Sequence, residues 1–166
     1  MKAGIITYYW SNNIGALIQS ISLKDFLNQN INSINCQFET YLPKELILRE
    51  QNSQLKTLNP IKYIKALQKN IILKKWKKNI AKLPMYSQTK NDFNKDVYIY
   101  GSDEIWNYEN PFFKLDDYFF GSNNNNKKIA YAVSIGNLQF NYEKIPKSIK
   151  ENICSFQKII VRDENT

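Results

Sequence analysis

Residues 96–107 read Asp-Val-Tyr-Ile-Tyr-Gly-Ser-Asp-Glu-Ile-Trp-Asn. The first five, Asp96–Tyr100, are rich in β-branched and aromatic residues, which predicts a short buried strand. Gly101–Asn107 then follow the carboxyl end of that strand. In open α/β sheets ligands bind beyond the carboxyl ends of the strands. This stretch therefore predicts both a sheet of that kind and a candidate site at its edge.

The groups at this strand end suit a polar ligand. The glycine allows a sharp turn or a close approach of the backbone to a ligand, and serine and aspartate side chains can cap a turn or bind hydroxyl groups. The tryptophan offers an apolar wall, and the asparagine offers a donor and an acceptor. The candidate binding residues here are Gly101, Ser102, Asp103, Trp106 and Asn107. A capped turn beside a packed tryptophan is the competing interpretation.

The rest of the chain alternates between strand and helix patterns. A helix capped by Asn12 or Asn13 is predicted after the first strand, a second helix over Ser148–Ser155, and a lysine-rich helical insertion over about 44–95. The predicted strands are Ala3–Thr7, Ile34–Phe38, Asp96–Tyr100, Ile129–Val133 and Lys158–Val161. Alternation of this kind predicts an α/β fold, a Rossmann-like three-layer sandwich with a parallel sheet.

Four loops should meet at one edge of that sheet, because each follows a strand of the same polarity. They are Tyr8–Gly15, Gly101–Asn107, Ser134–Asn137 and Arg162–Glu164. The first runs into a helix amino terminus, where free N–H groups favour an anion. Gly15 would allow close approach there, although tight helix–strand packing explains it equally well. The loop lacks the Gly-x-Gly-x-x-Gly fingerprint, which disfavours a dinucleotide cofactor.

Arg162 stands out because the chain has 21 lysines and only two arginines. A guanidinium offers a planar, bidentate fork for phosphate or carboxylate that a lysine cannot reproduce. Surface pairing with Asp163 or Glu164 is the alternative, and such pairs contribute little stability. Placement at a strand end beside the other loops favours a ligand role.

Composition fits one globular domain of 166 residues with 43% hydrophobic content. The two cysteines, Cys36 and Cys154, lack metal-ligand spacing and are interpreted as buried thiols of a reduced, cytoplasmic protein. No metal site is expected. The chain has no histidine, so the commonest general base and metal ligand is missing from these residues.

The net charge of +8 is unevenly distributed, because residues 51–91 contain ten lysines and no acidic residue. Ile61, Ile64, Leu67 and Ile71 recur there at helical spacing. The pattern predicts one or two amphipathic helices, peripheral to the sheet, with a lysine-rich outer face. A solvated helix surface is the plainest interpretation, followed by attraction to an anionic membrane surface. Nucleic-acid binding is disfavoured, since no recognised fold or arginine–aromatic pattern accompanies the charge.

The heptapeptide 101–107 resembles the Gly-Ser-Asp-Gln-(Val/Ile)-Trp-Asn signature of the polysaccharide pyruvyl transferase family. Three further segments resemble elements of that family in the same order: the opening strand and loop at 5–16, the strand Lys-Ile-Ala-Tyr-Ala-Val-Ser-Ile-Gly at 128–136, and the Ile-Val-Arg-Asp-Glu element at 160–164. Together the four matches cover the length of the chain. They correspond to the amino-terminal half of what the family normally has.

The resemblance implies the amino-terminal domain of a transferase whose two Rossmann-like halves face a cleft, as in GT-B-like enzymes. Characterised members transfer pyruvyl from phosphoenolpyruvate to two hydroxyls of a sugar, forming a pyruvate ketal and releasing phosphate, without a cofactor. The implied catalytic residues are Asp103, for the hydroxyls, and Arg162, for the anion. The implied substrate-binding residues are Asn12, Asn13, Gly15, Gly101, Ser102, Trp106, Asn107, Ser134 and Gly136. The acceptor would be a sugar or a lipid-linked glycan in exopolysaccharide and cell-envelope synthesis.

The chain also departs from the family pattern. Glu104 stands where many members have glutamine, which adds negative charge near a site for anions. We expect a second domain to be absent from residues 1–166, together with a histidine that it would supply, and hence no activity from this part alone. We expect a carboxyl-terminal half of the enzyme to be a partner of this domain. We expect the protein to lie in the cytoplasm, with peripheral contact at the inner face of the membrane. The alternatives are a glycosyltransferase-like enzyme that uses a nucleotide sugar and a non-catalytic binding module that needs a partner chain.

Overall fold

The fold was analysed in a computed structural model of the chain. It describes residues 1–11, 13–41, 59–80, 82, 88–89, 95–110, 115–122 and 125–166. The candidate residue Asn12 and much of the predicted insertion at 44–95 lie outside these ranges.

Strands and helices alternate along the described chain. In order they are β1 (Lys2–Ile6), α1 (Ile14–Asn30), β2 (Asn35–Glu39), α2 (Pro60–Ile80), β3 (Gln88–Thr89), β4 (Val97–Tyr100), β5 (Lys127–Val133), α3 (Lys147–Cys154) and β6 (Lys158–Val161). Two 3₁₀ turns, Asp117–Phe120 and Tyr142–Lys144, lie on either side of β5 in the chain. The five strands that the sequence predicts are all present, each within two residues of its predicted bounds.

The strands form one sheet in the order β3-β2-β1-β4-β5-β6, and every neighbouring pair is parallel. This is the strand order of a doubly wound Rossmann fold. The predicted fold class, an α/β Rossmann-like three-layer sandwich with a parallel sheet, is therefore confirmed.

The core is centred on β1 and β4, the two middle strands. All four residues of β4 are buried, and so are the last four residues of β1. Strands covered on both faces are expected to be continuously apolar, as these are. The apolar run continues past β1, where Tyr8, Tyr9 and Trp10 are also buried. Burial of these three aromatic side chains thus holds the loop after β1 in place.

Two sequence predictions about residues 44–95 need correction. Gln88–Thr89 form a strand that pairs with Phe38 and Glu39 of β2, inside a segment predicted to be helical. The helix α2 is present, but the described residues do not cover its row of apolar side chains, which an amphipathic helix with a lysine-rich outer face would turn inward. Ile61, Ile64, Leu67 and Ile71 are 65%, 55%, 39% and 56% exposed.

The cysteine prediction is half right. Cys36, in β2, is buried, and burial raises the pKa of its thiol to about 11. Cys154, at the end of α3, is exposed. Both thiols are free. Among the described helices, none is long and apolar enough to cross a membrane.

Candidate functional site

The candidate site lies where the direction of the sheet order reverses. From β1 the chain proceeds outward through β2 to β3, and it then returns to β4 on the other side of β1 and proceeds through β5 to β6. The loops after β1 and β4 therefore leave adjacent strands in opposite directions at the carboxyl edge. This is where open α/β sheets bind their ligands. The predicted convergence of the four loops at one edge is confirmed by the parallel pairing of all the strands.

Gly101 places the loop after β4 directly against β5. Its φ angle is +113°, a conformation that residues with a side chain rarely adopt. A Cβ atom here would collide with the backbone oxygen of Tyr131 and would lie 2.9 Å from Cγ1 of Val133. The peptide bond between Gly101 and Ser102 is cis. Glycine at this position lets Ser102 and Asp103 begin their loop in contact with the neighbouring strand.

Ser134 connects the loops after β4, β5 and β6. Its backbone N–H donates to the Asp103 carbonyl at 3.1 Å, and its carbonyl accepts from the Trp106 N–H at 3.2 Å. Its hydroxyl donates to Oδ2 of Asp163 at 2.5 Å and accepts from the Gly136 N–H at 2.7 Å. The side chain is fully buried. Ser134 thus positions the site, because both hydrogen-bonding functions of its hydroxyl already have protein partners.

The carboxylate of Asp163 is held by two hydroxyl groups. Ser134 and Thr166 both donate to it, and Thr166 in turn accepts from the Ile135 N–H at 3.0 Å. These hydrogen bonds lower the pKa of the Asp163 carboxyl, with a further contribution from the nearby charge of Arg162. The loop after β6 is thereby fixed to the loop after β5.

Arg162 lies between two carboxylates without a hydrogen bond to either. Its Nη2 atom is 3.7 Å from Oε1 of Glu104, and its Nε atom is 3.8 Å from Oδ2 of Asp163. Both distances exceed hydrogen-bonding range. Its side chain is 35% exposed. Within the described residues the guanidinium donates no side-chain hydrogen bond, so its fork remains available to an anion.

Glu104 lies next to Arg162, but it is not among the site residues that the sequence predicts. Its carboxylate lies against Gly136, whose φ angle is +66°, and a Cβ atom at that glycine would be 2.5 Å from Cδ of Glu104. The missing side chain of Gly136 thus makes room for the glutamate beside Arg162. The departure from glutamine in the sequence was the signal that this position matters.

Asp103 has a half-buried carboxyl group. Burial raises its pKa, and the hydrogen bond from the Glu104 N–H to Oδ1, at 2.8 Å, and the charge of Arg162 oppose that rise. The charge of Glu104 adds to it. A carboxyl group with a raised pKa is a better proton acceptor once it has ionised. The charge of Arg162 thus acts on the Asp103 carboxyl group, and the catalytic roles of the two residues stay predictions.

The loop after β1 approaches the same residues through Tyr8. Burial raises the pKa of the Tyr8 phenol, and the charges of Asp103, Asp116 and Glu104 raise it further. Thr7, which directly follows β1, has a buried hydroxyl oxygen with no hydrogen-bond partner among the described residues. The sequence analysis placed Tyr8 in a loop that reaches this edge, but it named neither Thr7 nor Tyr8 as a binding residue, because both stand in the apolar run that continues the first strand.

The amino terminus of α1 is capped by the protein itself. Oδ1 of Asn13 accepts from the Gly15 N–H at 2.9 Å, which confirms Asn13 as the helix cap. Both residues are exposed, and within the described part of the chain no hydrogen bond or ion pair joins them to Asp103 or Arg162. The binding roles of Asn13 and Gly15 stay predictions, and one of the N–H groups that an anion would use already has a partner.

Trp106 and Asn107 differ in how far their polar atoms are satisfied. The Trp106 indole is buried, donates to the Phe119 carbonyl at 3.0 Å and stacks on Phe120. Its role here is packing under the loop. Oδ1 of Asn107 is buried without a hydrogen-bond partner among the described residues. That oxygen could accept a hydrogen bond from a ligand or from water.

No three His, Cys, Asp or Glu side chains in the described ranges lie close enough together to hold a metal ion. The arrangement offers the guanidinium of Arg162, whose N–H donors make no hydrogen bond among the described residues, and the half-buried carboxyl group of Asp103, on which its charge acts. Together they can bind an anion and accept a proton from a neighbouring hydroxyl.

Comparison with known proteins identifies a family. A sequence model described as polysaccharide pyruvyl transferase matches residues 13–166. No curated protein and no solved structure matches the chain.

Proposed function

Because this chain belongs to the polysaccharide pyruvyl transferase family, we propose that it acts in the transfer of pyruvyl from phosphoenolpyruvate to a sugar of a surface polysaccharide. In that reaction the methylene carbon of the donor gains a proton and becomes a methyl group. The adjacent carbon forms bonds to two sugar oxygens, and its bond to the phosphate oxygen breaks. Of the two hydroxyl protons, one balances the new methyl group and the other leaves with phosphate. The product is a cyclic ketal.

The observation that carries this proposal is the Arg162 guanidinium, which makes no hydrogen bond among the described residues and whose charge acts on the half-buried carboxyl group of Asp103. Phosphoenolpyruvate is a compact anion with a phosphate and a carboxylate, both of which suit a bidentate guanidinium. The Arg162 fork has no hydrogen bonds among the described residues, and it lies within 4 Å of two carboxylates that hold it at the edge of the sheet. In our proposal it anchors the donor.

In our proposal, Asp103 acts on the hydroxyl groups of the acceptor sugar. Its raised pKa makes the ionised carboxylate a stronger base than an ordinary surface aspartate. In the proposed role it accepts the proton of an attacking sugar hydroxyl. Ser102 and Asn107 are the neighbouring polar residues proposed to bind the sugar, and the unfilled Oδ1 of Asn107 supports its part. Trp106 would support the loop from below.

The reaction also needs a general acid that protonates the methylene carbon. The chain contains no histidine, and we propose that a second domain supplies the acid, as the family resemblance implies. We therefore expect no pyruvyl transfer from residues 1–166 alone. The free thiols of Cys36 and Cys154 support a reducing, cytoplasmic setting.

Donor binding is the direct test. Titration calorimetry of the chain with phosphoenolpyruvate should detect binding, and Arg162→Lys should weaken it at least ~10-fold because lysine keeps the charge but loses the fork. Lys158→Gln, which removes an exposed charge from β6, is the matched control and should leave binding within about twofold. Glu104→Gln should strengthen binding by about threefold to tenfold, since it removes a negative charge next to the guanidinium.

The outcomes separate the alternatives. Unmeasurable donor binding, or equal effects of Arg162→Lys and Lys158→Gln, would refute the assignment of Arg162. A nucleotide sugar that binds in the same titration and displaces phosphoenolpyruvate would favour the glycosyltransferase-like alternative. That alternative is supported only by the strand order, which many functions share.

A further inference from the structure

The outer surface of α2 presents a broad apolar face to solvent. Ile64, Leu67 and Ile71 are 55%, 39% and 56% exposed, and their spacing of three and four residues aligns them along one side of the helix. Ile61 and Ile72 extend this side and are 65% and 66% exposed. Soluble surfaces expose single apolar side chains routinely, but a continuous apolar face marks an interaction site.

Lysines continue the same side of the helix towards its carboxyl end. Lys74, Lys75 and Lys78 follow Ile71 by three, four and seven residues, and all three are exposed. Lys62, Lys65 and Lys69 are exposed elsewhere on α2. No acidic residue occurs from 51 to 91, so nothing within that stretch neutralises them.

Among the described residues, few side chains of α2 pack against the rest of the protein. Leu73 is its one buried side chain among those that the structure describes, and Ala66, Asn70 and Trp76 are half-buried. The helix is therefore attached along a narrow line on one side. The opposite side, with its isoleucines and its terminal lysines, faces outward.

We propose that α2 docks this protein onto an anionic lipid surface. Interfacial helices bury an apolar face at the boundary between headgroups and acyl chains, and they carry lysines that attract anionic lipids. Long lysine side chains can lie along apolar surface while their ammonium groups reach the headgroups. Both halves of that pattern are present on one side of α2.

The composition of the face favours lipid over nucleic acid. Binding to a phosphate backbone uses lysine and arginine and gains nothing from a row of exposed isoleucines. No arginine occurs in α2. A lipid boundary uses the apolar row and the charge together.

Vesicle co-sedimentation of the full chain tests the charge requirement. Binding to vesicles with phosphatidylglycerol should exceed binding to phosphatidylcholine alone and should fall steeply between 0.05 and 0.5 M salt, as about a 10 Å screening length at 0.1 M implies. Replacing Lys74, Lys75 and Lys78 with glutamine should lower partitioning onto anionic vesicles by ~100-fold. Replacing the exposed lysines Lys2, Lys127 and Lys158 in the same way is the control and should change it less than threefold.

A second pair of variants tests the apolar requirement. Ile64→Gln with Ile71→Gln should lower binding at low salt by at least ~10-fold, because the lysines remain but the buried apolar area is lost. Ile18→Gln with Phe26→Gln, which changes exposed residues of α1, should not. Circular dichroism would verify that each variant retains its fold.

Three results would overturn the proposal. One is equal binding to neutral and anionic vesicles, and another is equal loss of binding in test and control variants. The third is binding of an oligonucleotide that depends on the same lysines while vesicles do not bind. None of these measurements depends on phosphoenolpyruvate, so failure here leaves the proposed transfer function standing.

Discussion

The carboxyl group of Asp103 is half-buried, and burial disfavours its charged form. Burial is the largest influence on its raised pKa, ahead of the opposing Glu104 N–H and the charge of Arg162. For an acid with a raised pKa, the folded protein binds the proton more tightly than the unfolded chain does. Its ionisation therefore costs folding stability, a cost that appears as the pH rises above the ordinary aspartate value and persists at neutral pH.

We expect Asp103→Asn to raise the free energy of unfolding at pH 7, since the amide keeps the size and the acceptor oxygen but carries no charge. The gain should shrink towards zero near pH 3, where the native carboxyl is protonated too. Urea unfolding at the two pH values measures it. Asp103→Asn that is less stable than the parent at pH 7 would show that attraction to Arg162 outweighs burial.

Ser134 shows how strand ends become one site. Its hydroxyl joins Asp163, in the loop after β6, to the Gly136 N–H, in the loop after β5, and its backbone joins the loop after β4. The serine is buried, so no water is available to replace the hydrogen bonds that its hydroxyl makes. The three loops are expected to respond together when that hydroxyl is removed.

Ser134→Ala should lower the free energy of unfolding by about 1–3 kcal/mol, because the buried Gly136 N–H would lose its acceptor. The pKa of Asp163 should rise towards its ordinary value, since the Ser134 hydroxyl is the largest influence lowering it. Denaturant unfolding and an NMR titration of the carboxyl carbon measure the two effects. Ser148→Ala, at an exposed position of α3, should change stability by less than ~0.5 kcal/mol. An unchanged Asp163 pKa in Ser134→Ala would contradict this account of the contact.

The elements differ in how well the sequence specifies them. β1, β4 and β6 are predicted closely because their apolar runs are local signals, and Asn13 is predicted as a cap by its side-chain chemistry. β3 could not be predicted, because its two residues carry no pattern and become a strand only by pairing with β2. The contact between Ser134 and Asp163 spans 29 residues and depends on β5 and β6 being neighbours.

The faces of α2 were predicted wrongly for a related reason. Helical spacing correctly groups Ile64, Leu67 and Ile71 on one side, but spacing says nothing about whether another element covers that side. At the site, the prediction placed Asp103 and Arg162 at one edge, because strand polarity is readable from sequence. It placed the loop that begins at Tyr8 at the same edge, but it did not predict the influence of Asp103 on the Tyr8 phenol, which depends on the adjacency of β1 and β4.

Across the molecule, stability should be graded from the middle of the sheet outward. β1 and β4 are buried and each pairs with two neighbours, whereas α2 buries one described side chain and β6 lies at the sheet edge. Local opening is expected where few apolar contacts hold the backbone.

Hydrogen exchange followed by mass spectrometry should therefore show amides of α2 exchanging at least ~10-fold sooner than those of β1 and β4, with β6 between them. Adding anionic vesicles should slow exchange in α2 and leave β4 unchanged. Protection of α2 equal to that of β4 without vesicles would contradict the view that the helix is attached along a narrow line.

The exposed strand β6 has a consequence for the protein in concentrated solution. Ile159, Ile160 and Val161 are 41%, 38% and 42% exposed, and successive side chains of a strand point to opposite faces. β6 is also last in the strand order, so within the described chain its outer backbone groups have no neighbouring strand. Such an edge can template strands from other molecules, and Lys158 is the one charge in β6 that opposes this. Aggregation should then begin by sheet extension between folded copies, without prior unfolding of the domain.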